Sequence, residues 1–230
     1  MGSTLSNKLS FVILSITVQS FLMISIALII YLDTVIFDHG ASEYSLTQFT
    51  QEGLIFVSVI IFFALSKNQP ESRGFLVLCG GFFSVMLIRE LDGFFDEIKH
   101  GFWVYPAIVV TLITLIYARK SPGTVSGPLV HYFQTSPFVY ITIGLLIVIL
   151  FSRIFGSGII WRVVMADNYT TVYKAIIQEG VELLGYVIVF YGSVMLWITR
   201  TVLNRLHQWQ IRSRRDRRRT SRRRTAPVGS

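Results

Sequence analysis

Apolar residues in this chain fall in long continuous runs rather than at a strand or amphipathic-helix period. The runs predict helices at roughly Leu9–Leu32, Thr47–Ser66, Gly74–Phe95, Phe102–Ala118, Pro137–Phe155 and Ala175–Val202. Each approaches the roughly 20 residues a helix needs to cross a bilayer. The short alternating segments of a β-barrel do not occur, because the apolar stretches are unbroken. The expected fold class is therefore all-α: a polytopic membrane helix bundle of about six transmembrane helices. The first run, from Leu9 to Tyr31, is longer than a signal-peptide core and is followed by no Ala-x-Ala-like site, so it is expected to be a retained helix.

Composition agrees with that pattern. Of 230 residues, 52% are hydrophobic and 15% charged, and the mean hydropathy is +0.58, values that exclude a soluble globular domain. The division expected is a six-helix membrane domain over residues 1–203 and a basic tail over 204–230. Cys79 is the single cysteine, which excludes an intrachain disulfide and a cysteine-based metal site within one chain.

Charge sets the expected orientation. Six crossings put Lys8, Lys67, Arg73, Arg119, Lys120 and the eleven arginines from Arg200 to Arg224 on one side, 16 of the 21 basic residues. The positive-inside rule makes that side cytoplasmic, with both termini. Eleven of the 13 acidic residues, all but Glu71 and Asp216, fall at the opposite side. The stretch from Gly156 to Lys174, with Trp161, Arg162 and Tyr169, is too mixed to span and is expected in or over the outer interface, capping the bundle.

The tail packs Arg212, Arg214, Arg215, Arg217, Arg218, Arg219, Arg222, Arg223 and Arg224 into a stretch with almost nothing apolar. Such composition predicts a disordered segment that contacts anionic lipid headgroups. Nucleic acid is not the expected partner, since no interleaved aromatics or folded reader accompany the arginines.

The richest chemistry lies at the outer end of the third run, Arg89-Glu90-Leu91-Asp92-Gly93-Phe94-Phe95-Asp96-Glu97-Ile98-Lys99-His100. Continued as one helix, it places Arg89, Asp92, Asp96 and either Lys99 or His100 on one face, with Glu90 and Glu97 one residue round. The last helix answers with Glu179 and Glu182, and Glu52 lies early in the second. Counting inward from Lys174 at 1.5 Å per residue puts Glu182 on the order of 12 Å down its helix. An ionised carboxylate there costs several kcal/mol unless paired, neutralised or hydrated. Arg89 and Lys99 are its expected partners, and Gly80, Gly81, Gly93, Gly180 and Gly185 would let the third and last helices approach closely.

Asp92, Asp96 and His100, at i, i+4 and i+8, form a spacing that can offer two oxygens and an imidazole to a divalent metal ion, with Glu182 added from the facing helix. The paired Glu-x-x-His motifs of di-metal carboxylate bundles are absent, since Glu97-x-x-His100 has no counterpart on the last helix. Two plainer readings stand beside this one. Arg89 with Glu90 or Glu182 could be a buried pair fixing helix register, and Asp96, Glu97, Lys99 and His100 could form a wet loop leading to Trp103. Asp38 and His39 read as solvated loop residues, and Pro106 as either a kink or an ordinary interfacial proline. No P-loop, dinucleotide fingerprint, His-Glu-x-x-His or Gly-x-Ser-x-Gly occurs.

Asp96-Glu97-x-x-His100 together with Glu179-x-x-Glu182-Leu183-Leu184-Gly185 resembles a pattern in uncharacterised polytopic bacterial inner-membrane proteins, although that pattern has an acidic residue where this chain has Gly101. The resemblance implies a bacterial inner-membrane setting. The function expected from the residues is a periplasm-facing pocket of Glu52, Arg89, Glu90, Asp92, Asp96, His100, Glu179 and Glu182 that binds a cation or proton. A membrane-embedded, metal-dependent hydrolase or lipid-modifying enzyme is a second reading, and a non-catalytic scaffold or partner subunit a third. Internal repeats of the transporter kind are absent.

Overall fold

The computed structural model of the chain describes the backbone of residues 2–37 and 45–224, and the side chains of residues 9, 10, 12–37 and 45–202. The expectations for Asp38 and His39, and the lipid contacts of Arg212, Arg214, Arg215, Arg217, Arg218, Arg219, Arg222, Arg223 and Arg224, lie outside the described side chains. The described residues form helices joined by turns, with no strand, and the chain is an all-α, multi-pass membrane protein. The long helices are α1 (Gly2–Tyr31), α2 (Leu46–Asn68), α3 (Arg73–Glu90), α5 (Val104–Lys120), α7 (Ser136–Leu146) and α10 (Thr171–Arg224). Short helices α4 (Asp92–Asp96), α6 (Ser126–Phe133), α8 (Ser152–Phe155) and α9 (Gly158–Met165) lie between them. A π-helical turn, Ile147–Phe151, joins α7 to α8 into one span.

Five spans are long and apolar enough to cross a bilayer. The sixth expected span is α5, whose 17 residues reach about 25 Å at 1.5 Å per residue. It continues through a 104° bend into the segment Pro122–Phe133. Pro106 sits in the first turn of α5, where the missing N–H costs no helical hydrogen bond, so the ordinary reading of that proline holds.

Helix boundaries follow local chemistry. Pro70 drives Gln69 into extended backbone (φ −132°, ψ 80°) and stops α2. At the other end of α2, the Ser45 hydroxyl accepts from Gln48 N at 3.1 Å, while the buried Asp33 carboxylate accepts from Leu46 N and Thr47 N, both at 3.0 Å. These free amides carry the positive end of the helix dipole, so Asp33 is a cap as well as a charge. Helical backbone runs on to Arg224, past residue 204 where composition predicts a disordered tail. Arginine is a good helix former, and no glycine or proline interrupts the sequence before Pro227.

The helices pack as a row: α5 on α3, α3 on α2, α2 on α10, and α10 on α7, with α1 leaning on α10. The third and last helices are thus kept apart by α2, contrary to the glycine-mediated approach expected between them. The glycines serve other neighbours. A Cβ on Gly80 would meet Phe63 at 3.1 Å, one on Gly180 would meet Ile30 at 2.9 Å, and Gly81 faces Thr114. Gly185 lies against Gly144, whose carbonyl oxygen an added Cβ would reach at 2.9 Å. Phe62 and Phe83 stack at 5.2 Å between α2 and α3. Phe75 meets Phe138 at 5.5 Å, so α3 and α7 touch near the end of the bundle where both begin.

Because the Gly144–Gly185 approach leaves no room for a side chain, Gly185→Leu should force α7 from α10. Overpacking of this kind costs about 1–3 kcal/mol. Thermal unfolding of the detergent-purified protein should show a lowered midpoint, with Gly123→Ala, which meets nothing within 4 Å, unchanged.

Candidate functional site

The end of the bundle away from the chain termini gathers the buried charge. Glu90, the last residue of α3, is 9% exposed, and Glu182, on α10, is 6% exposed. Glu90 Oε1 receives Arg89 Nη1 at 2.7 Å and the Tyr186 hydroxyl of α10 at 2.8 Å. The latter bond joins α3 to α10 across the end of α2. Glu182 Oε1 receives the Ser152 hydroxyl at 3.2 Å and Gln178 Nε2 at 3.1 Å. Arg153 Nη2 stands 3.6 Å away, an ion pair beyond hydrogen-bonding distance. Glu90, Glu182, Arg89 and Arg153 lie within electrostatic reach of one another around Glu90.

Glutamines extend this network to α2. Gln48 Nε2 donates to Glu52 Oε1 at 3.2 Å and to the Glu90 carbonyl at 3.1 Å, so Glu52 is tied to the end of α3 through an amide. Gln51, fully buried, donates to the Glu179 carbonyl at 3.0 Å. Its Oε1 has no hydrogen-bond partner among the described residues, an acceptor that a donor would satisfy. Glu179 is partly buried and lies within electrostatic reach of both Glu182 and Asp33.

The remaining expected residues are elsewhere. α3 stops at Glu90, Leu91 breaks the backbone (φ −85°, ψ 17°), and α4 starts anew, so Arg89, Asp92, Asp96 and His100 do not share one helical face. Asp92, Asp96, Glu97, Lys99 and His100 are all exposed. Asp96 accepts from Gly101 N at 2.8 Å and pairs with His100 Nδ1 at 2.7 Å, closing a turn in which Gly101 takes φ +78°. That φ favours glycine. Among the described residues, no three His, Cys, Asp or Glu side chains gather where they could hold a metal ion. The expected ligand set Asp92, Asp96, His100 and Glu182 is therefore not assembled. Glu182 is paired with Arg153 instead of Arg89, because Arg89 turns to its own neighbour Glu90.

Residues that the sequence reading passed over complete the site: Gln48, Gln51, Ser152, Arg153, Gln178 and Tyr186. Arg153 carried a usable signal, a lone arginine inside the fifth apolar run, of the kind that intramembrane charge makes informative. Tyr186 carried none, since tyrosine at a helix position is compatible with lipid, interface or core.

Two measurements check this geometry. Tyr186→Phe removes one donor from a buried carboxylate and should destabilise the protein by about 1–3 kcal/mol, seen as a lowered midpoint in thermal unfolding. The Gly101 amide, followed by its imidazole neighbour, holds the Asp96 carboxyl below its ordinary value of 3.8. The turn is thus supported at pH above the ordinary value and loosens as pH falls through the lower folded one. The Gly101 amide resonance should titrate with a midpoint below 3.8; a midpoint at or above that value would contradict the contact.

Comparison of the chain with protein-family models, with curated proteins and with solved structures finds no match.

Proposed function

We propose that the network of Glu90, Glu179 and Glu182 is a proton-binding site of an inner-membrane protein, open to the periplasm. One observation carries the reading: among the described residues, the three carboxylates of Glu90, Glu179 and Glu182 meet two guanidiniums, those of Arg89 and Arg153. Asp33, Glu90 and Glu182 are buried and Glu179 is partly buried, while the guanidiniums of Arg89 and Arg153 are 41% and 47% exposed. Exposed partners are screened and compensate only weakly. Uncompensated carboxylates in a low-dielectric bundle are costly, and taking up a proton removes the charge. Asp33 is excluded from this role because two backbone amides already hold it.

A proton fits better than a multidentate metal ion, since the carboxylates spread along α3 and α10 instead of converging on one point. The unpartnered Gln51 Oε1, hydrogen-bonded neighbour of the Glu179 backbone, supports a donor in the same place, such as a protonated carboxyl or water. The core cluster of Phe62, Phe75, Leu76, Phe83 and Leu196 fills the bundle toward the termini. A pocket reached from one side therefore suits this chain better than a path through it. The distribution of basic residues supports cytoplasmic termini, and the arginine tail supports contact with anionic lipid on that side.

Difference infrared spectroscopy of the protein in nanodiscs, recorded on a pH step, tests the reading. A protonated-carboxyl C=O band should appear in the wild type and lose intensity in Glu90→Gln, Glu179→Gln or Glu182→Gln. Absence of any such band, or near-stoichiometric metal found by elemental analysis of the same sample, would overturn it.

A further inference from the structure

Beside the carboxylate network lies a cavity of about 330 Å³, lined by Met86, Arg89 and Glu90 of α3, by Val148 and Ile149 of the π-helical turn, and by Arg153 of α8. Its origin is in the packing. Near their first turns, α3 and α7 touch through Phe75 and Phe138. Otherwise α3 packs on α2 and α5, while α7 and its π-helical turn pack on α10. The two helices thus take different neighbours, and the cavity is a wedge between them at the end bearing Glu90 and Arg153.

The chemistry of the wedge is layered. At that end two guanidiniums line it, each about half exposed, Arg89 bonded to Glu90 and Arg153 paired with Glu182 and within electrostatic reach of Glu90. A guanidinium carries five N–H donors in a planar fork, so both retain donors for a further acceptor. The lining itself holds two arginines and Glu90, and Glu182 stands 3.6 Å from Arg153, so it is the unused guanidinium donors, not a surplus of positive charge, that can take a phosphate. About one helical turn inward the walls become apolar, with Met86 on one side and Ile149 on the other. Ile149 is 47% exposed, and Phe82, one turn farther along α3, is 45% exposed.

A charged rim above an apolar cleft matches an amphiphile, and the position of both arginines at the ends of membrane spans matches headgroup depth. We propose that this wedge is a lateral binding site for an anionic phospholipid, its phosphodiester held between Arg89 and Arg153 and an acyl chain lying along Met86, Ile149 and Phe82. The bidentate geometry of arginine suits the phosphate oxygens, and two forks from separate helices fix its position. The site is separate from the arginine tail, and a proton on Glu90, as in the function proposed above, strengthens it by freeing Arg89.

The test is photo-crosslinking of the full chain in nanodiscs containing phosphatidylglycerol with a diazirine-bearing acyl chain. About 0.5 M salt shortens the Debye length to about 4 Å and weakens loose surface attraction. Peptide mass spectrometry should place the label around Phe82–Met86 and Ile147–Phe151 above the rest of the lipid-facing surface. Labelling there should fall about tenfold in the Arg89→Gln, Arg153→Gln double variant, equivalent to about 1.4 kcal/mol of binding. It should also fall in Ile149→Trp, which fills the wedge from an exposed position without touching charge. The Arg89→Lys, Arg153→Lys variant, which keeps both charges, should retain intermediate labelling. Label spread evenly over all spans, or label that survives both the arginine and tryptophan changes, overturns the proposal. Displacement by excess inorganic phosphate also overturns it, by assigning the rim to a soluble anion.

Discussion

A buried carboxylate in a membrane-embedded bundle has to be answered by something, and Glu90 is where this protein answers it. Its one Oε1 atom is shared by Arg89 of the same helix and Tyr186 of another. Removing either donor leaves a group whose desolvation penalty is several kcal/mol in an apolar surrounding. The consequence reaches beyond one residue. Helices α3 and α10 are separated by α2 over most of their length, and the Glu90–Tyr186 bond is the polar contact that joins them at the end where the charges collect.

Around that bond the rest of the end is arranged by the same rule. Asp33 is stabilised by the amides at the start of α2, Glu182 by Ser152, Gln178 and Arg153, and Glu52 by Gln48. Each of these groups receives neutral donors, and Glu90 and Glu182 have a half-exposed guanidinium as well. Neutral donors lower the cost of a charge without cancelling it, which is why a proton remains the natural means of balance. The same half-exposed guanidiniums form the rim of the wedge between α3 and α8, so the two proposals meet at Arg89 and Arg153 while resting on different observations.

Much of the fold was legible in the sequence, because unbroken apolar runs near bilayer length leave few alternatives to helices. The expected starts and ends agree with α2, the α7–α8 span and the opening of α10 to within a few residues. The third helix was misjudged for a local reason. Asp92 and Gly93 follow Leu91 with no apolar period to continue, and the chain turns there, sending Asp92, Asp96 and His100 to the surface. Glu90 and Glu182 are legible as intramembrane charges, and Arg89 with Glu90 is among the pairs the sequence offers, whereas Arg153 and Tyr186 as partners are not. Pairing depends on which helices neighbour each other, and hydropathy is silent on that order. Hence of the two pairs open to Arg89 the structure has the one with Glu90, Glu182 takes Arg153, and the glycines at 80, 81, 180 and 185, expected at one interface, serve four.

The central claim is that the buried carboxylates hold an exchangeable proton. Counting protons taken up by the nanodisc-embedded protein across the neutral range, with a soluble pH indicator and a Glu90→Gln, Glu179→Gln, Glu182→Gln variant as reference, addresses it most directly. The account predicts that the wild type takes up at least about one proton more than the variant as pH falls through that range. Equal uptake by two folded samples would contradict it and leave the network as a structural clasp between α3 and α10.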